Sequence, residues 1–219
     1  MPLTYAVGDI HGRLTKLRNL LNLCEEDANG RPMKFIFLGD YIDRGPGSKG
    51  VIEQLMALQQ AQPEHVICLM GNHEDMLLTA IDHPDWQDRW LHNGGVQTLK
   101  NYGVTDATRI PTSHIDWLRQ LLKFHDDGLR FFVHAGIHPD RTLNQQDDFD
   151  LLWIREPFLS SSRDFSRLIV HGHTPSRDGR PDIRINRLNI DTGAVFGGSL
   201  TAAVFDQTRR HPLRFLASR

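Results

Sequence analysis

Short apolar runs rich in β-formers recur along the chain: "TYAV", "FIFL", "VICLM", "RFFV" and "RLIV". Each stops at a Gly, His, Asp or Asn. The first three are separated by segments with helical spacing, Leu14, Leu17, Leu20 and Leu21, then Val51, Ile52, Leu55 and Leu58. That order predicts β-α-β-α-β, and right-handed crossovers put the three parallel strands in one sheet. From about Asp82 to Leu122 the pattern changes: tryptophans at 86, 90 and 117, a turn-like "HNGG", and helical patterning near Ile115 to Leu122 predict a helical cap over the sheet edge. Trp86, Trp90 and Trp117 are expected to form its core. Beyond it, "LLKFHDDGLRFFVHAG" reads as a hairpin about Asp127-Gly128. The segments "RLNIDTGA", "SLTAAVFD" and "PLRFLAS" suggest a second sheet, mixed or antiparallel. Nothing repeats at a fixed period, and "SSSRD" and "SRDGRPD" read as surface loops, not linkers, so residues 1–219 are expected to form a single domain that includes the cap.

Composition narrows the classes. Lys plus Arg number 25 against 27 Asp plus Glu, a formal charge of -2, which gives no bulk electrostatic reason to bind nucleic acid or an anionic membrane. Any phosphate recognition must be local. Cys24 and Cys68 have no cysteine near them in sequence and read as free, core-facing thiols of a reducing compartment. The N-terminus lacks the basic and apolar regions of an export signal, and no apolar run approaches the roughly 18 residues of a membrane span. The expectation is a cytoplasmic protein.

The candidate chemistry gathers at strand ends. In open α/β sheets functional groups collect at the carboxyl edge, and here successive strands end in "GDIHG", "GDYIDRG", "GNHE", "HAG" and "HGHT". Any one of these residues alone is explained as a turn or cap residue; their convergence on one crevice is not. Asp9 and His11 stand two apart, on the same side of an extended backbone, and could pinch one ion. Carboxylate, imidazole and amide oxygen without thiolate favour a divalent metal such as Mn, Fe or Zn. The candidates exceed one tetrahedral site. Two metals about 3.5 to 4 Å apart, bridged by a carboxylate, would use them, an arrangement suited to in-line cleavage of phosphate esters.

These motifs, in order from Gly8 to Thr174, resemble the signature of the phosphoprotein phosphatase family, within the calcineurin-like metallophosphoesterases. "WLHNGGVQTLKNYG" and "NIDTGAVFGGSLT" are similar to segments of the compact bacterial and phage serine/threonine phosphatases. The resemblance implies an α/β fold of two β-sheets sandwiched between helices, with two metals, Mn foremost, at the strand ends. It implies that Asp9 and His11 bind the first metal, that Asp40 bridges both, and that Asn72, His134 and His173 complete the second, His171 being a neighbour. Asp43 is implied to orient His73, the acid for the leaving oxygen, while Arg44 and Arg155 hold the phosphate oxygens. An ion pair with Glu156 or a nearby acid is the plain alternative for Arg155. The implied reaction is direct hydrolysis of phosphoserine and phosphothreonine esters in proteins, with phosphotyrosine esters also in range, by a metal-activated hydroxide. Symmetrical diadenosine tetraphosphatases look similar across the same motifs but tend to lack the aspartate before the arginine and to read "GNHD", so Asp43 and Glu74 lean toward the protein phosphatases. A non-catalytic metal-bound scaffold would need neither Asp43, Arg44 nor His73. The remaining histidines read as surface or structural, with His92 the exception to watch because the cap overhangs the crevice.

Overall fold

The computed structural model describes residues 2–219. Strands β1 (Leu3–Val7), β2 (Met33–Phe37) and β3 (Val66–Cys68) pair in parallel, with Tyr5 opposite Phe35 and Ile36 opposite Ile67. The crossovers are α1 (Leu14–Ala28), which buries Leu17, Leu20, Leu21 and Cys24, and α2 (Ser48–Ala61), which buries Val51, Ile52 and Leu55. The leucine and valine spacing thus identifies the inward faces. After β3 comes α3 (Asn72–Asp82).

The segment expected as a cap is helical. It runs through a 3₁₀ turn (Pro84–Trp86), α4 (Gln87–Trp90), a π turn (Leu91–Gly95), α5 (Val96–Tyr102), a second 3₁₀ turn (Ala107–Arg109) and α6 (Thr112–Arg119). Its exit covers the edge of β3, where Met70 N–H donates to Leu122 O at 2.7 Å. Of its tryptophans, Trp90 is fully buried and Trp117 half-buried, but Trp86 is exposed. The expectation of a core role for Trp86 is therefore corrected: it stands in a short turn at the rim, with the Arg89 guanidinium 4.9 Å above its ring.

The hairpin about Asp127-Gly128 joins β4 (Phe124–Asp126) to β5 (Arg130–Val133). Through α7 (Asp148–Trp153) the chain reaches β6 (Leu168–His171), then β7 (Asp182–Ile183) and β8 (Arg187–Asn189), giving a second sheet in the order β4-β5-β6-β8-β7. The last two strands, β9 (Leu200–Phe205) and β10 (Arg214–Ser218), do not join it. They return to the first sheet, ordered β10-β9-β1-β2-β3, with β9 antiparallel to β1. Both sheets are therefore mixed. The reason is burial: Leu200, Ala202 and Val204 of β9 pack in the cluster containing α1, while Ala203 and Phe205 enter the layer between the sheets. A strand apolar on both faces needs a position covered on both sides.

That intersheet layer holds Ala6, Ile36, Leu38, Phe132, Val170, Leu188 and Ile190. Helices cover the outer faces, so the order of layers is helix, sheet, sheet, helix. Cys24 and Cys68 are free and buried. Among the described residues no helix is long and apolar enough to cross a membrane.

Candidate active site

The parallel strands of both sheets point their carboxyl ends at one crevice, and the loops that leave them are backbone-strained there. Of the seven described non-glycine residues at positive φ, five belong to these loops: His11 (44°), Asp40 (54°), Asp43 (70°), Arg44 (65°) and His173 (66°). Such conformations are costly outside glycine and persist where the surroundings fix them. Two glycines make room for the carboxylates. A Cβ on Gly71 would lie 2.2 Å from Asp40 Oδ1, and one on Gly172 would lie 2.0 Å from Asp9 Oδ1.

Asp40 sits at the centre. Its Oδ2 is 3.3 Å from His11 Nε2 and 3.9 Å from His73 Nε2, and its Oδ1 is 3.4 Å from His134 Nε2. Burial alone would push its carboxyl up, but His134, His73 and His11 outweigh burial and hold it below the usual carboxylate range. Asp9 is raised well above its ordinary value by burial, then by Asp191 and Asp40, and burial pushes Asp191 up to about 6.

The imidazoles are oriented from behind. His11 Nδ1–H donates to Ile42 O at 2.9 Å and His134 Nδ1–H to Leu38 O at 2.8 Å, which leaves each Nε2 as a lone pair facing the crevice. The His134 lone pair then faces Asn72 Oδ1 at 2.9 Å, and His173 Nδ1 lies 2.8 Å from that same oxygen. His173 Nε2 is buried without a partner. Burial lowers His11 to about 3 and His173 to about 2, so both imidazoles are neutral and able to act as ligands.

Lone pairs aimed at oxygens, beside three clustered carboxylates, repel one another unless cations lie between them. The donor set therefore fits divalent metal. Two metal-capable trios, His11–Asp40–His73 and Asp9–Asp40–His134, share Asp40. The carboxylate implied to bridge is thus the residue common to both groups.

A second polar layer lies behind this one. The Asp43 side chain is fully buried and accepts from His73 Nδ1–H at 2.7 Å, Thr98 Oγ1–H at 2.7 Å and Trp90 Nε1–H at 3.0 Å. Burial works against protonating His73, yet Asp40 and the bond to Asp43 outweigh it and raise its pKa. Glu74, also fully buried, accepts the backbone N–H groups of Asp40, Tyr41, Ile42 and Gly71 at 2.8 to 3.3 Å, bracing the strained loop that carries Asp40. Arg44 Nη1 donates to His11 Nε2 at 2.9 Å while its guanidinium lies 5.6 Å from the Phe196 ring.

The structure brings Asp9, His11, Asp40, Asp43, Arg44, Asn72, His73, His134 and His173 to this crevice. His171 belongs to β6 and packs on the other side, its ring 5.0 Å from that of Phe158. Arg155 is exposed, but its charge is near enough to contribute to lowering His173. It forms no ion pair with Glu156, whose carboxylate accepts from Ser160 Oγ–H at 2.6 Å. His92 is exposed on the rim with Arg44, Gly94, Gln97 and Phe196.

Sequence reasoning missed Asp191, although "NIDTG" carries the same signal as the other strand ends: an Asp two residues before a Gly, just beyond β8. It also missed Trp90 and Thr98 as partners of Asp43. Their separations of 47 and 55 residues from Asp43 leave no local signal.

Comparison with known proteins agrees with this geometry. Residues 3–199 match the family described as calcineurin-like phosphoesterase. The chain is 33% identical over 208 residues to serine/threonine-protein phosphatase 1 of Salmonella typhimurium, covering 91% of this chain and 90% of that protein. It is also 33% identical over 223 residues to the asymmetrical bis(5'-nucleosyl)-tetraphosphatase PrpE of Anoxybacillus flavithermus, covering 90% and 87%. Among solved structures, a candidate diadenosine tetraphosphatase superposes with a TM-score of 0.71 at 23% identity, covering 99% of this chain and 94% of that one.

Proposed function

The chain belongs to the calcineurin-like phosphoesterase family and is a hydrolase of phosphoester bonds, and we propose that within this family it is a metal-dependent serine/threonine protein phosphatase of the cytoplasm, residues 1–219 acting as one catalytic unit. Family membership leaves no ground for the scaffold alternative. The observation that carries the reading is the buried Asp43–His73 pair, with its 2.7 Å hydrogen bond. An alkoxide is a poor leaving group and needs a proton as it departs, whereas a nucleoside phosphate leaves readily as an anion. A site that spends a fully buried carboxylate on holding an imidazole protonated is built for the alkoxide.

In this reading Asp9, His11, Asp40, Asn72, His134 and His173 would hold two divalent ions, Mn foremost. When bound, the metals supply Lewis acidity and lower the pKa of a coordinated water toward neutrality. The residues do the rest. Asp43 fixes the His73 tautomer through Nδ1, so the proton passed to the leaving oxygen sits on Nε2, facing the crevice. Arg44 swings from His11 to grip phosphate oxygens with its planar fork, and Arg155, whose charge reaches His173, adds to their binding. Burial raises the Asp43 carboxyl, and the hydrogen bonds from Thr98 and Trp90 work against that rise.

A second reading, hydrolysis of dinucleoside polyphosphates, is favoured by one feature of the rim. Phe196, 65% exposed, stands beside Arg44 over an open cavity of about 540 Å³ that Asn93 and Gln97 also line, a surface on which a nucleobase could stack. Parallel measurement of kcat/KM for a phosphoseryl peptide and for diadenosine tetraphosphate with added Mn, using His73→Asn as control, separates the two. Preference for the peptide is expected; preference for the dinucleotide keeps the metal assignments and moves the substrate class.

A further inference from the structure

Behind the loop that carries His173 lies a second cavity, of about 470 Å³, between β7, β8 and the start of the segment after α7. Its wall holds polar groups that the phosphoesterase chemistry does not use. Arg187, the first residue of β8, is 5% exposed; its Nη2 donates to Leu159 O at 3.1 Å, its Nη1 lies 2.9 Å from Asp182 Oδ2, and its Nε has no partner. The buried hydroxyls of Thr174 and Ser176, which line the same cavity, also lack partners.

Backbone groups of this wall, by contrast, have partners. Asn189 Nδ2–H donates to Thr174 O at 2.7 Å, and Ser176 N–H donates to Asp191 O at 2.9 Å. The hydroxyls are therefore held in place with their own hydrogen-bonding capacity unspent. A buried guanidinium N–H and two buried hydroxyls left open in one cavity are costly unless something occupies them.

What they lack is an acceptor. The lining counts three arginines, 177, 184 and 187, against three acids, Glu156, Asp178 and Asp182, so formal charge does not choose. Hydrogen bonding does. Asp182 is shared between Arg184 Nε at 2.9 Å and Arg187; Glu156 is taken by Ser160; Asp178 accepts from Arg180 N–H at 3.0 Å. Each acid already accepts from a partner within the chain, whereas Arg187 Nε–H and the Thr174 and Ser176 hydroxyls donate to none. We propose that this cavity is a second binding site, for a small molecule bearing a phosphate-type oxyanion, held by Arg187 Nε–H and the hydroxyls of Thr174 and Ser176. Arg177, exposed at the mouth and in no ion pair among the described residues, supplies further positive charge. The site stands apart from the Asp40 crevice, on the far side of the loop from Gly172 to Ser176, and does not depend on which phosphoester is hydrolysed.

The test uses the metal-loaded full chain with two probes. Crystals soaked in selenate, a tetrahedral oxyanion with an anomalous signal, are expected to show a peak within hydrogen-bond distance of Arg187 Nε, Thr174 Oγ1 and Ser176 Oγ. Water alone there overturns the proposal. Calorimetric titration with inorganic phosphate is expected to resolve two sites: Arg44→Ala weakens one, and Thr174→Val with Ser176→Ala weakens the other at least about tenfold, since each hydrogen bond to a charged group is worth roughly a factor of ten. The hydroxyl variant is preferred because removing Arg187 would leave Asp182 facing Arg184 alone and could unfold the edge of the sheet. A single phosphate site abolished by Arg44→Ala, or a hydroxyl variant that titrates like the wild type, sinks the idea.

Discussion

The floor and the rim of the crevice are built on opposite principles. On the floor the functional side chains are buried and most are held by several bonds: Asp43 accepts three hydrogen bonds, Glu74 receives four backbone N–H groups, and His11 and His134 are each tied by Nδ1 to a carbonyl. On the rim, Phe196, Trp86 and His92 are exposed, although the loop beneath Phe196 is pinned where Arg13 Nη2 donates to Val195 O at 2.8 Å and Lys16 Nζ to Ala194 O at 3.1 Å. The difference teaches where each property resides. Chemistry common to a family needs fixed geometry on rigid supports, whereas the choice of substrate rests on surface loops that can vary without disturbing it.

The sharpest way to break that division is at His73. His73→Asn should lower kcat on a phosphoseryl peptide by about two to four orders of magnitude, the usual worth of general acid catalysis. Bound metal, measured by elemental analysis, should stay near wild-type content. Near-normal turnover would remove His73 as the acid; a parallel loss of metal would make it a ligand, as its membership of the trio with His11 and Asp40 allows.

Much of the floor was legible because each of its residues sits within a short motif at a strand end, where local chemistry and global topology coincide. Asp9, Asp40, Asn72, His134 and His173 all lie within three residues of the end of an apolar run. The supports were illegible, since Trp90 and Thr98 reach Asp43 only through the folding of the cap, and nothing in "DRWLHNGG" says which way an indole N–H will point. The sheet assignment of the last two strands failed for a related reason. Their runs announce strands, but only the two-sided burial of β9 decides which sheet has room for them.

Asp43→Asn tests whether the support acts on the acid itself. Loss of the carboxylate removes one of the charges that raise the His73 pKa, so the proton is lost at lower pH and the alkaline limb of the rate profile should move toward acid. The fall in kcat should be about ten- to hundredfold, the cost of removing a supporting partner from a functional imidazole. A lower rate with an unmoved limb would make Asp43 a packing residue only.

The smallest effect is expected at the rim. Phe196→Ala removes an exposed ring that stands 5.6 Å from the Arg44 guanidinium. If the floor does the chemistry and the peptide's phosphate supplies most of its recognition, kcat should be unchanged and KM for the phosphoseryl peptide should rise less than about threefold, because an exposed cation–π contact is worth only about 0.5 to 1 kcal/mol. Stacking of a base, by contrast, is worth about 1 to 3 kcal/mol, so the same variant assayed on diadenosine tetraphosphate would lose fivefold or more in KM if the ring serves a nucleotide. A large, selective loss on the dinucleotide would therefore sharpen the comparison, by placing substrate choice on one exposed side chain. An equal loss in kcat on both substrates would break it, because the ring would then be positioning Arg44 for catalysis and the rim would belong to the floor.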